Sequence, residues 1–384
     1  MNHMLTSHIN IITGINGSGK STILSHMAIA EISNGRNVIA ISNATTNKFK
    51  RKKSSRYNIL KQSSNSLDTC LKNLIINHYN TKRKNDNHIH IYSKSLAYQK
   101  FDNMLIFSIS FKVSESKLRF LESETYKDEH NEEEIYELIN YLRNSKKFPA
   151  LDKPQDNFKT PPVKLHLTYK FGFEWDSSTQ RDPIELICKY ERKLRSLGII
   201  SSMELSLLRG NIKIKTSHLS SGESIYLTNT AFILTHLDNE TVIFIDEPEN
   251  SLHPELQKKY TSNLLNLLGY YNIKLILATH SPMIVIGAAE DINDSLDVFM
   301  ADDGILSKIN GSEVNIDEVM TDVFGVLTSR SRYFSYKINS ILNQYNENKN
   351  ISFAIEKLNL LYDIGPDEQQ KKIINAAKNY IMSM

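Results

Sequence analysis

The chain has 384 residues, a formal net charge of +3, 40% hydrophobic residues and two cysteines. That length supports a full core and two lobes, and the near-balanced charge excludes a chain basic enough to bind nucleic acid on charge alone. Cys70 and Cys188 make neither a disulfide framework nor a zinc set, and no apolar run approaches the roughly 20 residues needed to cross a bilayer. The opening MNHMLTSHIN lacks the charged start and apolar core of a signal peptide. The expectation is a protein of the reducing cytoplasm that makes no use of a membrane.

Ile9 to Thr13 is apolar or β-branched at four of five positions and reads as a buried strand. It runs into Gly14-Ile15-Asn16-Gly17-Ser18-Gly19-Lys20-Ser21, which fits G-x-x-x-x-G-K-[ST], and Thr22 to Ile32 continues with helical apolar spacing. Strand, glycine loop and helix stand in the order a phosphate-binding loop requires. Glycines at 14, 17 and 19 open backbone angles closed to other residues, so successive N–H groups can turn toward phosphate oxygens at a helix start. The candidate cradle is therefore Gly14, Asn16, Gly17, Ser18, Gly19, Lys20, Ser21 and Thr22. In it, Lys20 would reach the β- and γ-phosphates of ATP and the Ser21 hydroxyl would hold Mg²⁺.

Asn37 to Ser42 reads as the next strand, closing a βαβ unit after a helix stop at Asn34-Gly35. Asn47 to Arg56 is a dense basic run, read as a solvated loop, with contact to phosphate or to an acidic partner as the other readings. His88 to Tyr92 (HIHIY) alternates and predicts a strand with His88 and His90 on one face, too few ligands for a metal. Met104 to Val113 predicts another strand. The acidic cluster Glu122, Glu124, Asp128, Glu129, Glu132, Glu133, Glu134 and Glu137 leads into a helix that buries Ile135, Leu138, Ile139 and Leu142. Pro149, Pro154, Pro161 and Pro162 rule out a helix between that point and the alternating strand Val163 to Phe173. A helix starts at Pro183 and ends near Gly198.

Ile212 to Thr216 leads to His218-Leu219-Ser220-Ser221-Gly222-Glu223 and a helix with Ile225, Ala231, Phe232, Leu234 and Leu237. Ser220 and Glu223 have the spacing of a capping box. Val242 to Ile245 is a continuous apolar strand, as a central parallel strand should be, and ends in Asp246-Glu247-Pro248-Glu249. A helix from Pro254 to Leu268 and the buried strand Lys274 to Ala278, ending at Thr279-His280-Ser281-Pro282, follow. Val298 to Met300 and Ile305 to Ser307 flank Asp302-Asp303-Gly304, read as a hairpin turn rather than half a metal site. From Ile316 onward the chain reads as helices, with stripes at Phe334, Ile338, Ile341, Leu342 and Tyr345 and at Ile373, Ala377 and Ile381 after Pro366.

Carboxylates at the end of a buried strand downstream of a phosphate loop are where an NTPase needs them. Asp246 would enter the Mg²⁺ shell, Glu247 would orient or deprotonate the attacking water, and His280 would contact the γ-phosphate. GINGSGKS, LSSGE, DEPENSLHP and ATHSP, in that order, resemble the Walker A, signature, Walker B with D-loop, and switch-histidine motifs of ABC-class ATPases. The DEPE-x-x-LHP form is similar to the soluble RecF/SMC/OLD-like branch. The resemblance implies an α/β fold: an ABC-type P-loop ATPase head in residues 1–56 and 211–312, an inserted α+β lobe in 57–210, and a helical C-terminal region in 313–384. It also implies two subunits face to face, with ATP on Lys20 of one closed over by Ser220, Ser221 and Gly222 of the other, and with Asn250 to His253 near the dimer axis. The lid glutamine of that family is not assignable, Gln62 and Gln99 being the candidates. Functionally, the resemblance implies an ATPase homodimer that switches a separate effector protein, as in antiphage defence systems. A DNA-repair or DNA-structure ATPase, with nucleic acid as the partner, is the alternative.

Overall fold

The computed structural model describes residues 8–44, 48–50, 52–61, 66–81, 87–125, 132–144, 162–171, 182–292, 296–309, 321, 332–364 and 368–383. Asp128, Glu129, Pro149, Pro154, Pro161, Gln62 and Pro366 lie outside them. The chain forms two compact units, one of residues 1–59, 240–265 and 272–384, the other of residues 60–239 and 266–271.

The first unit is built on strands β1 (Ile9–Thr13), β2 (Asn37–Ser42), β3 (Tyr57–Lys61), β8 (Thr241–Asp246), β9 (Lys274–Thr279), β10 (Leu296–Asp302) and β11 (Ile305–Lys308). Among the described residues they form one sheet in the order β11-β10-β1-β9-β8-β2-β3. β1 pairs in parallel with both β9 and β10, β8 with both β2 and β9, and β11 returns antiparallel on β10. Every residue of β1 and β8 is buried, which is why neither alternates: β8 carries a continuous apolar Val242–Ile245, and β1 is apolar or β-branched except at the buried Asn10. The βαβ reading of β1 and β2 keeps its parallel sense, but β9 and β8 stand between the two strands. Helix α1 (Lys20–Ser33) seals one face through Ile23, Leu24, Met27 and Ala28.

Helices α9 (Pro254–Lys258) and α10 (Tyr260–Leu268) divide at Lys259 what the sequence presents as one helix. Helix α11 (Pro282–Asp291), not anticipated, packs on α9 through Gly287, where a Cβ would stand 1.7 Å from the Lys258 carbonyl oxygen. The C-terminal helices α12 (Arg332–Asn348), α13 (Ile351–Asp363) and α14 (Glu368–Ser383) share their own core of Phe334, Ile338, Tyr345, Leu358, Leu361 and Ile381. In α14 it is Ile374, fully buried, that joins Ala377 and Ile381, whereas Ile373 is 45% exposed. One residue is a 100° rotation on a helix, and the faces of α12 and α13 decide which isoleucine turns inward.

The second unit carries an antiparallel sheet in the order β5-β4-β6-β7, from β4 (Met104–Phe111), β5 (Val163–Lys170), β6 (Ile200–Arg209) and β7 (Ile212–Lys215). β6 went unread because its buried positions cluster at Leu205, Ser206 and Leu207 instead of alternating. Among the described residues, helices α2 (Ser66–Thr81), α3 (His88–Tyr98), α4 (Glu115–Thr125), α5 (Glu132–Asn144), α6 (Pro183–Lys189), α7 (Glu191–Ser196) and α8 (Ser221–His236) accompany it. The predicted strand at His88–Tyr92 is the first turn and a half of α3. Its buried residues fall at 88 and 89, 91 and 92, 95 and 96, a helical stripe that the five-residue alternation conceals. His88 is buried against the Tyr271 ring and His90 is exposed, so the two do not share a face. The single helix expected from Pro183 is α6 and α7, broken at Tyr190. In α5, Ile135, Leu138, Ile139 and Leu142 are all buried, while Arg143 ties Glu115 and Glu122 together. No described helix is long and apolar enough to cross a membrane.

Candidate active site

The phosphate loop leaves the buried end of β1 with Gly14 at φ 149° and Gly17 and Gly19 at φ 86° and 90°. Gly14 also has no room for a side chain, since a Cβ there would lie 2.6 Å from the Ala301 carbonyl oxygen and 2.9 Å from Ser18 Oγ. Ala301 belongs to β10, and the hairpin that follows rests on the loop: the Gly304 N–H donates to the Ser18 carbonyl at 3.1 Å. Asp302-Asp303-Gly304 is thus the hairpin turn that its sequence predicts, and the turn braces the loop. Asn16, Gly17 and Thr22 are exposed, Ser18 is buried, and Gly19 is half-buried at the N-cap of α1.

Lys20 is buried and folds back over the loop, its Nζ donating to the Gly14 carbonyl at 2.8 Å and to the Ile15 carbonyl at 2.9 Å. Burial pulls its ammonium below the ordinary lysine range, opposed by Glu249 first and then by Asp246 and Glu247. These three carboxylates therefore lie around the lysine that the loop presents.

Behind the loop, the Ser21 hydroxyl donates to Asp246 Oδ1 at 3.0 Å. Asp246 closes β8 and is 2% exposed, and burial pushes its carboxyl up to about 6, helped by Glu247 and Glu249 and opposed by Ser21 and Lys20. A hydroxyl and a carboxylate oxygen this close fit Mg²⁺, because cis ligands of an octahedron with bonds of about 2.0–2.1 Å stand about 3 Å apart. Phosphate oxygens and water would complete such a shell.

Glu247 stands in the left-handed region at φ 54°, an unusual place for a non-glycine residue and one that clusters at functional turns. The turn is held from both sides: the Glu247 N–H donates to the Ala278 carbonyl of β9 at 2.9 Å, and Asn43 Nδ2, just past β2, donates to the Glu247 carbonyl at 3.3 Å. Asn43 receives Asn250 Nδ2 on its own carbonyl at 2.6 Å. Its N–H donates to the Asp246 carbonyl at 3.0 Å.

His280 follows β9 and is reached by Glu249, which is 5% exposed. Glu249 Oε1 accepts the His280 main-chain N–H at 2.7 Å and lies 3.0 Å from His280 Nδ1. Sequence reasoning named Asp246, Glu247 and His280 and assigned no role to Glu249 or Asn43. The signal for Glu249 was a second carboxylate one proline beyond Glu247, while nothing local distinguishes Asn43.

Ser220, Ser221 and Gly222 belong to the second unit and open α8. The capping box is formed: Ser220 Oγ accepts the Glu223 N–H at 3.3 Å, and Glu223 Oε2 accepts the Ser220 N–H at 3.0 Å. Arg209 adds an ion pair to Glu223 while its guanidinium lies 4.2 Å from the Phe101 ring centroid. Burial raises the Glu223 carboxyl, and the Arg209 and Ser220 hydrogen bonds outweigh it to hold the group below its usual range. Gln99 is buried in this unit, and its carbonyl accepts from Arg209.

The family model described as "AAA domain, putative AbiEii toxin, Type IV TA system" matches residues 9–286, well over half of the chain. Protein ea59 of Escherichia phage lambda is 28% identical over 180 residues, 42% of this chain and 34% of that protein, so the chain spans about a third of this curated relative's length. The structure of cbiO1 from Clostridium perfringens, part of the ABC transporter complex cbiONQ, covers 45% of this chain and 53% of its own at 18% identity and a TM-score of 0.23, too loose an overlap to bear on this chain. By the extent of the family match, with the phosphate loop and strand-end carboxylates inside it, the chain belongs to this AAA-domain family and is a P-loop ATPase of the ABC/AAA type.

Proposed function

We propose that the chain hydrolyses Mg-ATP in a head-to-tail dimer and that the ATP-closed dimer switches a separate effector protein, in cytoplasmic defence against phage. The single observation that carries the hydrolytic part is the 3.0 Å contact between Ser21 Oγ of the phosphate loop and Asp246 Oδ1 of the buried strand end. On this reading, the N–H groups from Gly14 to Thr22 cradle the phosphates, and Lys20 leaves its carbonyl partners for the β- and γ-phosphates. Ser21 and Asp246 hold Mg²⁺, which when bound neutralises charge on the transferring phosphoryl group. Glu247 takes the proton of the attacking water, and His280 steadies the γ-phosphate. Ser220, Ser221 and Gly222 serve the nucleotide of the facing subunit. The functional division is an ATPase head of residues 1–56 and 211–312, with the lobe 57–210 and the tail 313–384 free to meet an effector. The family description, which names a type IV TA system, supports a defence role.

Glu247→Gln should keep nucleotide and metal binding but lose water activation, accumulating an ATP-bound dimer by light scattering. A monomer under saturating Mg-ATP would refute the sandwich. Mixing Lys20→Ala with Ser221→Arg chains should restore partial hydrolysis, since one composite site then carries both defects and the other neither. A mixture as inactive as either parent would refute sharing. A DNA-structure ATPase is the second reading, favoured by the exposed Lys48, Lys50, Lys52, Lys53 and Arg56. Salt-dependent duplex binding stimulated by ATP would establish it.

A further inference from the structure

We infer that Glu249 is a positioning residue for His280. It fixes the imidazole in the tautomer with hydrogen on Nδ1, so that Nε2 is the nitrogen that meets the nucleotide. The inference rests on the ATPase reading for the word nucleotide, but its geometry stands by itself.

Glu249 is a carboxylate buried to 5% exposure at the mouth of the parallel sheet. One of its oxygens, Oε1, takes two donors from one residue, the main-chain N–H of His280 at 2.7 Å and Nδ1 at 3.0 Å. An ionised carboxylate only accepts, so the ring nitrogen facing it must carry hydrogen. With Nδ1 committed, the neutral ring keeps a bare Nε2, which can accept a hydrogen bond or take a proton and then donate one to a phosphate oxygen. The double attachment also fixes direction, because the main chain and the ring of His280 are held by the same atom. Half of the ring remains open: the His280 side chain is 45% exposed against 5% for Glu249. Hence the buried partner orients and the exposed partner meets the ligand. The second oxygen, Oε2, is buried without a hydrogen-bond partner among the described residues. A buried unsatisfied oxygen costs stability, and this one lies in a carboxylate that also acts on Lys20 more strongly than Asp246 or Glu247 does.

The test has two independent arms. In uniformly ¹⁵N-labelled full-length protein, the His280 ring, identified by its loss in His280→Ala, should show the Nδ1–H tautomer at a pH where it is neutral, and Glu249→Ala should move it toward the Nε2–H form. An Nε2–H ring in the wild type overturns the inference whether or not the protein hydrolyses ATP. In the kinetic arm, Glu249→Ala should lower kcat about 10–100-fold, the range for partners that orient a histidine. KM should hold or fall, since a negative charge near the phosphates has been removed. Glu249→Gln, which keeps an accepting oxygen, should recover much of kcat. The double variant Glu249→Ala/His280→Ala should be no slower than His280→Ala, because the two residues act as one unit. Multiplicative losses in the double variant, or a Glu249→Gln as slow as Glu249→Ala, would overturn it. A wild-type protein that binds no ATP would sink the functional reading and leave the tautomer arm to decide the inference.

Discussion

The phosphate loop and the strand-end cluster face the same small volume yet are made in opposite ways. The loop is one contiguous piece whose glycines, lysine and serine carry their conformation and chemistry together. The cluster is assembled: Asn43 comes from the end of β2, Asp246 to Glu249 from the end of β8, and His280 from the end of β9, brought side by side by parallel pairing and then tied by side-chain hydrogen bonds. The difference teaches where each half is vulnerable. A local motif fails by losing its own atoms, whereas an assembled one fails when the elements that align it shift.

The largest effect should come from the contiguous half. Lys20→Ala removes the only side-chain cation placed by the loop, and charge-assisted bonds to phosphate of about 1.5–3 kcal/mol each predict at least a hundredfold weaker ATP binding by calorimetry. Unchanged affinity would undo the assignment of the loop. The corresponding strike on the assembled half is Gly287→Ala. Its methyl would sit 1.7 Å from the Lys258 carbonyl oxygen, forcing apart α9 and α11, the helices that follow the Asp246 and His280 strands. A loss of about 3 kcal/mol in urea unfolding is expected, as for overpacking against backbone. A near-neutral result would show that the two helices are free to separate.

A smaller effect, with a sign, belongs to Asp246. Burial raises its folded-state value to about 6, above the ordinary carboxylate range of an unfolded chain. In metal-free protein its contribution to stability is therefore fully present below about pH 4 and is lost as pH rises through 6. Asp246→Asn should flatten that decline, leaving the metal-free variant at least as stable as the wild type at pH 7.5 in thermal melts while abolishing the stabilisation by Mg-ATP. A steeper decline in the variant would contradict the burial argument. The smallest change tests the other local device, the cap of α8. Ser220→Ala leaves the Glu223 N–H without its side-chain acceptor and should cost about 1 kcal/mol by urea titration. A cost several times larger would mean that Ser220 has partners beyond its own helix.

Legibility followed the same division. Strands β1, β8 and β9 were readable because burial on both faces demands largely apolar, non-alternating runs, and the phosphate loop because its backbone angles demand glycine at fixed spacing. The hairpin at Asp302-Asp303-Gly304 was readable as a turn, but not as a brace on Ser18, since that contact joins residues nearly three hundred positions apart. HIHIY misled because five residues cannot separate a period of 2 from one of 3.6: the His/Ile alternation fits a strand, whereas burial of 88, 89, 91 and 92 with 90 exposed follows a helix. Ile373 misled because an isolated stripe does not say which neighbouring helix face it meets.

By itself, the sequence determined that this chain has a phosphate loop between a buried strand and a helix, carboxylates at a second strand end and a histidine at a third. Each of those follows from short-range demands: backbone angle, capping, or the dryness of a central strand. Only the tertiary structure decided that Glu249, not Glu247, holds His280, that Asn43 holds the Glu247 turn, and that the β10–β11 hairpin braces the loop. These are contacts between strand ends that parallel pairing brings side by side, and parallel neighbours in a sheet are remote in the chain because each crossover must travel the length of a helix before it returns.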